Sequence, residues 1–362
     1  MAASFLPWLL LSLVGGAVAD RQDRRRLIIG GQLIRGASVL AFAALVWNGS
    51  AGLIAIYLVA LIIGAGEVII DTAMQAALPN VAGDDLDTAN SRFGAAQFLT
   101  GEVAGAPLGG ALFTVAASLP FVVDGATFLL GAVLILIIGS PLQPETPNLA
   151  NRSMVDDIRE GASFLRQQPV LLGLTIAVTL SNLAQAAVDG LLVLLVIDVL
   201  DGSEVAFGLV LALGAAGGFL GSLASSKINR RFGRRATVVV AFAVLGAANA
   251  SIGLAPSVGF VAAGSFIVLF AKGAFNATAQ SIRQRLTPNR LLGRVVATMR
   301  SITFTAIPLG TLSAGLVARS VGVRQTIVLT SILAATATIA MAVTTKGHDL
   351  EGSSPDDVAS QP

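Results

Sequence analysis

The chain has 362 residues, of which 54% are hydrophobic and only 12% charged, and its mean hydropathy is +0.81. A soluble domain of this length needs far more polar surface, so the composition places the chain in a membrane. A net charge of +2 and a pI near 9.5 do not read as nucleic-acid binding, because the cations lie in short loops between apolar runs, and the lack of Cys excludes disulfides and thiolate metal sites.

In chain order, eleven apolar segments are long enough to cross the hydrocarbon layer as helices, near 2–19, 27–46, 52–78, 93–116, 120–140, 170–198, 206–226, 236–254, 258–283, 295–318 and 324–343. The loops between them alternate in charge. One set (20–26, 79–92, 141–169, 227–235, 284–294 and the tail from 344) holds 17 of the 23 Lys and Arg; the other holds Arg319 alone, with Arg324 at its edge. Basic residues are retained on the cytoplasmic side of a plasma membrane, so the first set and the C-terminus are expected there. Residues 1–19 do not read as a signal peptide, since no basic stretch precedes the apolar run and Arg21 and Arg24 to Arg26 follow it. The longest loop opens with Pro141, Pro144 and Pro147 and then turns amphipathic, with Met154, Ile158, Phe164 and Leu165 on one face. A helix along the membrane surface is expected there, so that 141–169 links an N-terminal bundle over 1–140 to a C-terminal bundle over 170–343. The polar tail 344–362 is expected to be disordered.

A pattern recurs at an offset of 205 residues. Gly16, Asp20, Arg24, Arg25 and Arg26 have a second copy in Gly221, Arg230, Arg231, Gly233, Arg234 and Arg235, while Glu67, Asp71 and Gln75 align with Lys272, Asn276 and Gln280. Two unrelated features at one offset indicate a duplicated helical unit, as in secondary transporters. The second half has six segments and the first only five before the linker, so the first helix of the first unit is expected to be missing.

Polar residues inside these segments are candidate site residues, because a charge at mid-membrane costs about 2.5–3.5 kcal/mol on insertion scales and belongs in a polar cavity. Glu67, Asp71 and Gln75 share one helix face, as do Lys272, Asn276 and Gln280, and as do Asn182, Gln185 and Asp189. The pseudo-two-fold predicts that the stripe with Glu67 faces the stripe with Lys272, with Glu67 or Asp71 as a proton carrier and Lys272 as countercharge, against a static ion pair that only fixes packing. Glu102, Asp124 and Arg300 also lie in or near helices but belong to no stripe.

The segment from Gly16 through Asp20 to Arg24, Arg25 and Arg26 resembles the signature between the second and third helices of the major facilitator superfamily, near its enterobactin-exporter-like and macrolide-efflux-like branch. The resemblance runs through Phe5 to Trp8, Gln75 to Pro79, Ala89 to Arg92, Asp157 to Gly161, Gln284 to Pro288, Leu292 to Arg294 and Pro308 to Gly310. It implies an all-α, two-bundle membrane fold with eleven of the usual twelve helices, and a cytoplasmic gate at Gly16, Asp20, Arg24 and Arg25. A second copy at Gly221, Arg230, Gly233 and Arg234 is expected to stabilise more than switch, because Ser225 stands where Asp20 has its carboxylate. Gly101, Gly105, Pro107, Gly109 and Gly110 resemble the fifth-helix signature of proton-coupled exporters, with the proline one position late; small residues there allow close packing and a bend. Exporters of the superfamily often carry an Arg in the fourth helix, and none lies within 53–77.

The resemblance implies proton-coupled export of a small amphipathic, drug- or siderophore-like molecule from a bacterial cell by alternating access. The expected partners are that molecule, protons and the lipid bilayer, with no nucleic acid, cofactor or metal, and a monomer is expected. Proton-independent uniport and a transport-incompetent relic or partner protein stay open as alternatives. An enzyme does not: no His lies in a helix, and neither a G-x-S-x-G nor an H-E-x-x-H motif occurs.

Overall fold

In hydrocarbon every backbone N–H and C=O must be paired within the protein, which leaves an apolar chain of this kind the α-helix. The computed structural model describes residues 22–83, 85–138, 154–348 and 350, and among these it contains helices and no strands. In chain order they are α1 (Arg24–Trp47), α2 (Leu53–Ala82), α3 (Leu86–Phe98), α4 (Ala106–Val115), α5 (Leu119–Ile137), α6 (Met154–Gln167), α7 (Pro169–Leu194), α8 (Glu204–Phe232), α9 (Arg234–Gly253), α10 (Val258–Leu286), α11 (Leu292–Val321) and α12 (Val323–Thr344). A π-helical stretch, Leu99–Gly105, joins α3 to α4, so ten spans long and apolar enough to cross a membrane are found among the described residues. They correspond to ten of the eleven predicted segments; the eleventh, 2–19, lies outside the described residues, as do Gly16, Asp20 and the tail beyond Leu350.

Local chemistry sets the helix ends. Asp23, Asp85 and Ser203 accept backbone N–H bonds from Arg26, Thr88 and Ala206, capping α1, α3 and α8. Gly233 (φ +79°) turns the chain from α8 into α9, and Gly322 (φ +93°) turns it from α11 into α12, a left-handed backbone that favours glycine. The π-wound stretch ends just before Pro107, which has no N–H to give the carbonyl one turn earlier, so the regular bonding pattern slips there.

Contacts divide the chain into two compact units. The first takes Met1–Asp84, Gly105–Leu165 and Thr287–Ser301. Its core joins Ile28 of α1, Ile70, Ala73 and Ala77 of α2 and Ile135 of α5, with Ala76 packed on Leu292 and Val296 of α11. Helices α1 and α5 approach closely where Gly36 and Gly125 face each other's carbonyl oxygen, and Phe42 meets Phe121 edge-on at 4.9 Å. Amphipathic α6 seats Gly161 against Arg294 of α11 and buries Leu165.

The second unit takes Asp85–Ala104, Arg166–Leu286 and Ile302–Pro362. A glycine seam joins α8 to α10. A Cβ on Gly217 would lie 2.3 Å from the Phe266 carbonyl oxygen, one on Gly221 2.0 Å from that of Phe270, and one on Gly273 2.3 Å from that of Gly218. Small residues one turn apart let the two backbones touch, which replaces the hydrophobic drive that lipid does not supply. Gly221→Val, which overpacks this seam, is expected to cost about 1–3 kcal/mol and to lower the melting midpoint in detergent. Gly208→Ala, whose Cβ meets no described atom, is expected to leave the midpoint unchanged or raise it.

Candidate functional site

Polar side chains gather at the arginine-bearing helix ends and, separately, inside the helices. In the first unit Arg24 opens α1 and is 1% exposed. Its guanidinium donates to the Ala76 carbonyl of α2 at 2.8 Å and to the Asn289 side-chain and main-chain oxygens at 3.4 and 3.5 Å, while Asn289 donates to Asn80 at 2.6 Å. Arg25 donates to the Ile138 carbonyl. Arg294 pairs with Glu160 of α6 at 2.7 Å. Arg24 and Arg25 thus tie the start of α1 to α2, to the end of α5 and to Asn289 just before α11.

In the second unit Arg234 opens α9 as Arg24 opens α1. It is buried and grips Asp87 of α3 through two nitrogens, at 2.6 and 3.3 Å, with its third directed to the Leu350 carbonyl at 2.9 Å. Asn229 donates to the same carboxylate at 3.2 Å and accepts from Thr278 at 3.0 Å. Asn90 donates to Ser281 and Gln284, and Ser91 to the Ser222 carbonyl. Among the described residues Ser225 bonds the Ser222 carbonyl of its own helix, and the acid that meets Arg234 is Asp87 of α3. Arg230 is exposed at the end of α8, Gly233 forms the turn and Gly221 the helix contact.

This network also explains a shift in the helix boundary. Residues 79–92 read as a loop because Asp84, Asp85, Asp87, Asn90 and Arg92 are polar, yet α2 continues through Pro79 to Ala82 and α3 begins at Leu86. Asp87, Asn90 and Ser91 are buried against α8, α9 and α10 rather than in water.

Inside the helices of the first unit, Asp71 forms an ion pair with Arg300 of α11 and accepts from Gln75 at 3.4 Å. Asp71 is thus paired with Arg300, a residue outside every stripe. Glu67, one turn from Asp71, forms no hydrogen bond or ion pair among the described residues, and the charges nearest it are Arg35, Asp71 and Arg300. Arg35 of α1 stacks its guanidinium on Phe128 of α5 at 4.1 Å, lays its aliphatic stem on Gly66, and faces Glu67, Asp124 and Asp71. Arg35 is not part of the sequence reading; its one signal is a lone cation within an apolar run.

In the second unit a cavity of about 250 Å³ is lined by α7, α8 and α10 with Phe98 of α3 and Ile252 of α9, and Gln185, Asp189 and Lys272 are among its lining residues. Gln185 donates to Asp189 at 2.8 Å. Asn182 lies a turn away and donates to the Thr303 carbonyl of α11 at 3.1 Å. Asn276 is exposed, and Gln280 is half-buried without a hydrogen bond among the described residues. Of the fifth-helix motif, Gly101 and Gly105 lie in the π-wound stretch and Pro107, Gly109 and Gly110 in α4. A Cβ at Gly101, Gly109 or Gly110 would meet no described atom within 4 Å, so the motif appears here as a change of winding.

Residues 1–360 match the transmembrane secretion effector family. The chain is 29% identical over 342 residues to the multidrug efflux pump Tap of Mycolicibacterium fortuitum, covering 91% of this chain and 82% of the pump. It is 23% identical over 338 residues to macrolide efflux protein A of Streptococcus pyogenes, covering 91% and 82%. Among solved structures it superposes on the E. coli fucose:proton symporter with a TM-score of 0.77 at 15% identity, covering 95% of this chain and 90% of that one. A bacterial homologue of the iron transporter ferroportin, in an outward-facing state, gives 0.77 at 18% identity, covering 95% and 89%. At these identities the two structures establish the fold alone, that of the major facilitator superfamily.

Removing one member of a buried ion pair costs about 3–5 kcal/mol, because the other charge is left without a partner. Asp87→Ala is therefore expected to destabilise the folded chain by that order, and Asp87→Ala with Arg234→Leu by less than the sum of the two single changes. A double-mutant cycle on the melting midpoint reads this coupling, and additive losses would show that the pair contributes nothing of its own.

Proposed function

Because the chain belongs to the transmembrane secretion effector family of major facilitator transporters, we propose that it exports a small amphipathic molecule in exchange for protons. Membership makes it a multi-pass membrane transporter and not an enzyme. Export is the activity in the names of its relatives, which are efflux pumps. In this reading the arginine-bearing ends and the C-terminus face the cytoplasm, the chain works as a monomer, and substrate reaches the polar residues inside the helices by alternating access.

Coupling rests on one observation: the arrangement of Glu67 beside the Asp71–Arg300 pair. Asp71 is tied to its cation, so protonating it would break an ion pair in a medium where that is expensive. Glu67 has no such tie among the described residues, and Arg35 waits close by on Phe128. A proton can therefore leave or join Glu67 without dismantling the structure, and its charge state alters the field that a substrate meets. Glu67 is the carrier in this reading; Asp71 and Arg300 fix the helices around it.

The networks at the basic ends supply the switch. Arg24 ties α1 to the Ala76 carbonyl and to Asn289, each bond from its charged guanidinium being worth about 1.5–3 kcal/mol net, a size that substrate and proton binding can offset. The two states of a transporter need differ by only a few kcal/mol for substrate and proton to shift their populations.

The full chain in liposomes tests this with a radiolabelled macrolide. A gradient of about one pH unit is worth about 1.4 kcal/mol, a tenfold concentration ratio for one-for-one exchange. Wild-type protein is expected to build such a ratio toward the acidic side, and Glu67→Gln to lose it while still exchanging labelled for unlabelled substrate. Equal uptake with and without the gradient would overturn proton coupling and leave uniport.

A further inference from the structure

The cavity among α7, α8 and α10 holds charges of both signs that do not pair with each other. Lys272 lines it and forms no hydrogen bond or ion pair among the described residues. Asp189 lines it as well, fixed by the amide of Gln185 at 2.8 Å. The remaining wall is mostly apolar, with Phe98, Leu192 and Val268 among its members. Ionisable groups inside a membrane protein mark substrate or ion pathways, because their cost demands a partner.

Each simple occupant leaves one of these charges worse off. An organic anion on Lys272 meets the Asp189 carboxylate, and an organic cation on Asp189 meets the Lys272 ammonium. A neutral molecule strips water from both and pairs with neither. We propose that this cavity binds a zwitterion, with its anionic group on the Lys272 ammonium, its amine on the Asp189 carboxylate and its apolar body against Phe98, Leu192 and Val268. At about 250 Å³ the cavity is smaller than the roughly 300–1,000 Å³ of sites for drug-sized ligands, so it takes an amino-acid-sized compound or the charged end of a longer amphipath. The inference rests on the transporter reading and names the substrate class that this part of the protein accepts.

Phenylalanine, phenylpropionate and phenylethylamine share a ring and a chain length but carry both charges, the anion alone and the cation alone. Their equilibrium binding to the full chain in lipid nanodiscs, at one pH and without a gradient, tests the assignment. Phenylalanine is expected to bind about tenfold or more tightly than either single-charge analogue, the worth of one charge-assisted contact. Lys272→Gln should abolish its advantage over phenylethylamine, Asp189→Asn its advantage over phenylpropionate, and Lys272→Arg should keep the wild-type order. Equal binding of the three, binding of none, or a preference that survives Lys272→Gln would overturn the proposal. The wild-type comparison decides by itself if a variant does not fold. Loss of gradient-driven uptake with this order intact would instead count against proton coupling alone.

Discussion

Hydrocarbon offers a charged side chain no partner, and the positions of the ionisable groups in this protein follow from that. Asp71 is matched by Arg300, Asp189 is held by Gln185, and the guanidinium of Arg35 lies on the ring of Phe128. Each solution brings two helices together at a defined register or fixes a side chain on one. Once these groups are matched, what is left unmatched carries information. Glu67 and Lys272 have no hydrogen bond or ion pair among the described residues, and both lie within apolar helices where an idle charge would be removed by a single substitution. The cost of leaving them unmatched is the physical reason to place chemistry at these two positions rather than at the better-paired ones.

The same pairing rule works differently at the basic ends. Arg24 and Arg234 each open a helix and each turn inward, yet they meet different partners. Arg24 binds a carbonyl and an asparagine, and Arg234 binds a carboxylate that a third helix supplies. The buried ion pair of Arg234 with Asp87, which shares Asn229, resists separation. The glycine seam between α8 and α10 adds rigidity in the second unit, since backbones in direct contact cannot slide without collision.

Much of the fold is legible in the sequence because a membrane imposes a single length and a single kind of surface on each helix. The predicted segment 258–283 corresponds to Val258–Leu286 and 324–343 to Val323–Thr344. Legibility fails where polar residues are buried against protein instead of facing water. The stretch 79–92 looks like a loop by composition, and only its long-range partners, Arg234, Ser222 and Ser281, show why Asp87, Asn90 and Ser91 belong in a helix. The site shows the same division. Helical spacing finds Asp71 with Gln75 and Gln185 with Asp189, because both pairs lie one turn apart on one helix. Spacing cannot find Arg300, Arg35 or Asn289, whose partners lie on other helices and share no periodicity with them.

For the basic end to act as the switch, its attachment has to open during transport. Asn80 and Asn289 meet there at 2.6 Å, and the chain contains no Cys, so Asn80→Cys with Asn289→Cys creates a unique site for a short thiol cross-linker. The most direct measurement is substrate flux through the doubly substituted protein in liposomes before cross-linking, after it, and after release with a cleavable reagent. Flux that stops on cross-linking and returns on cleavage is the predicted result. Full flux through the cross-linked protein would contradict the assignment of this end as the switch.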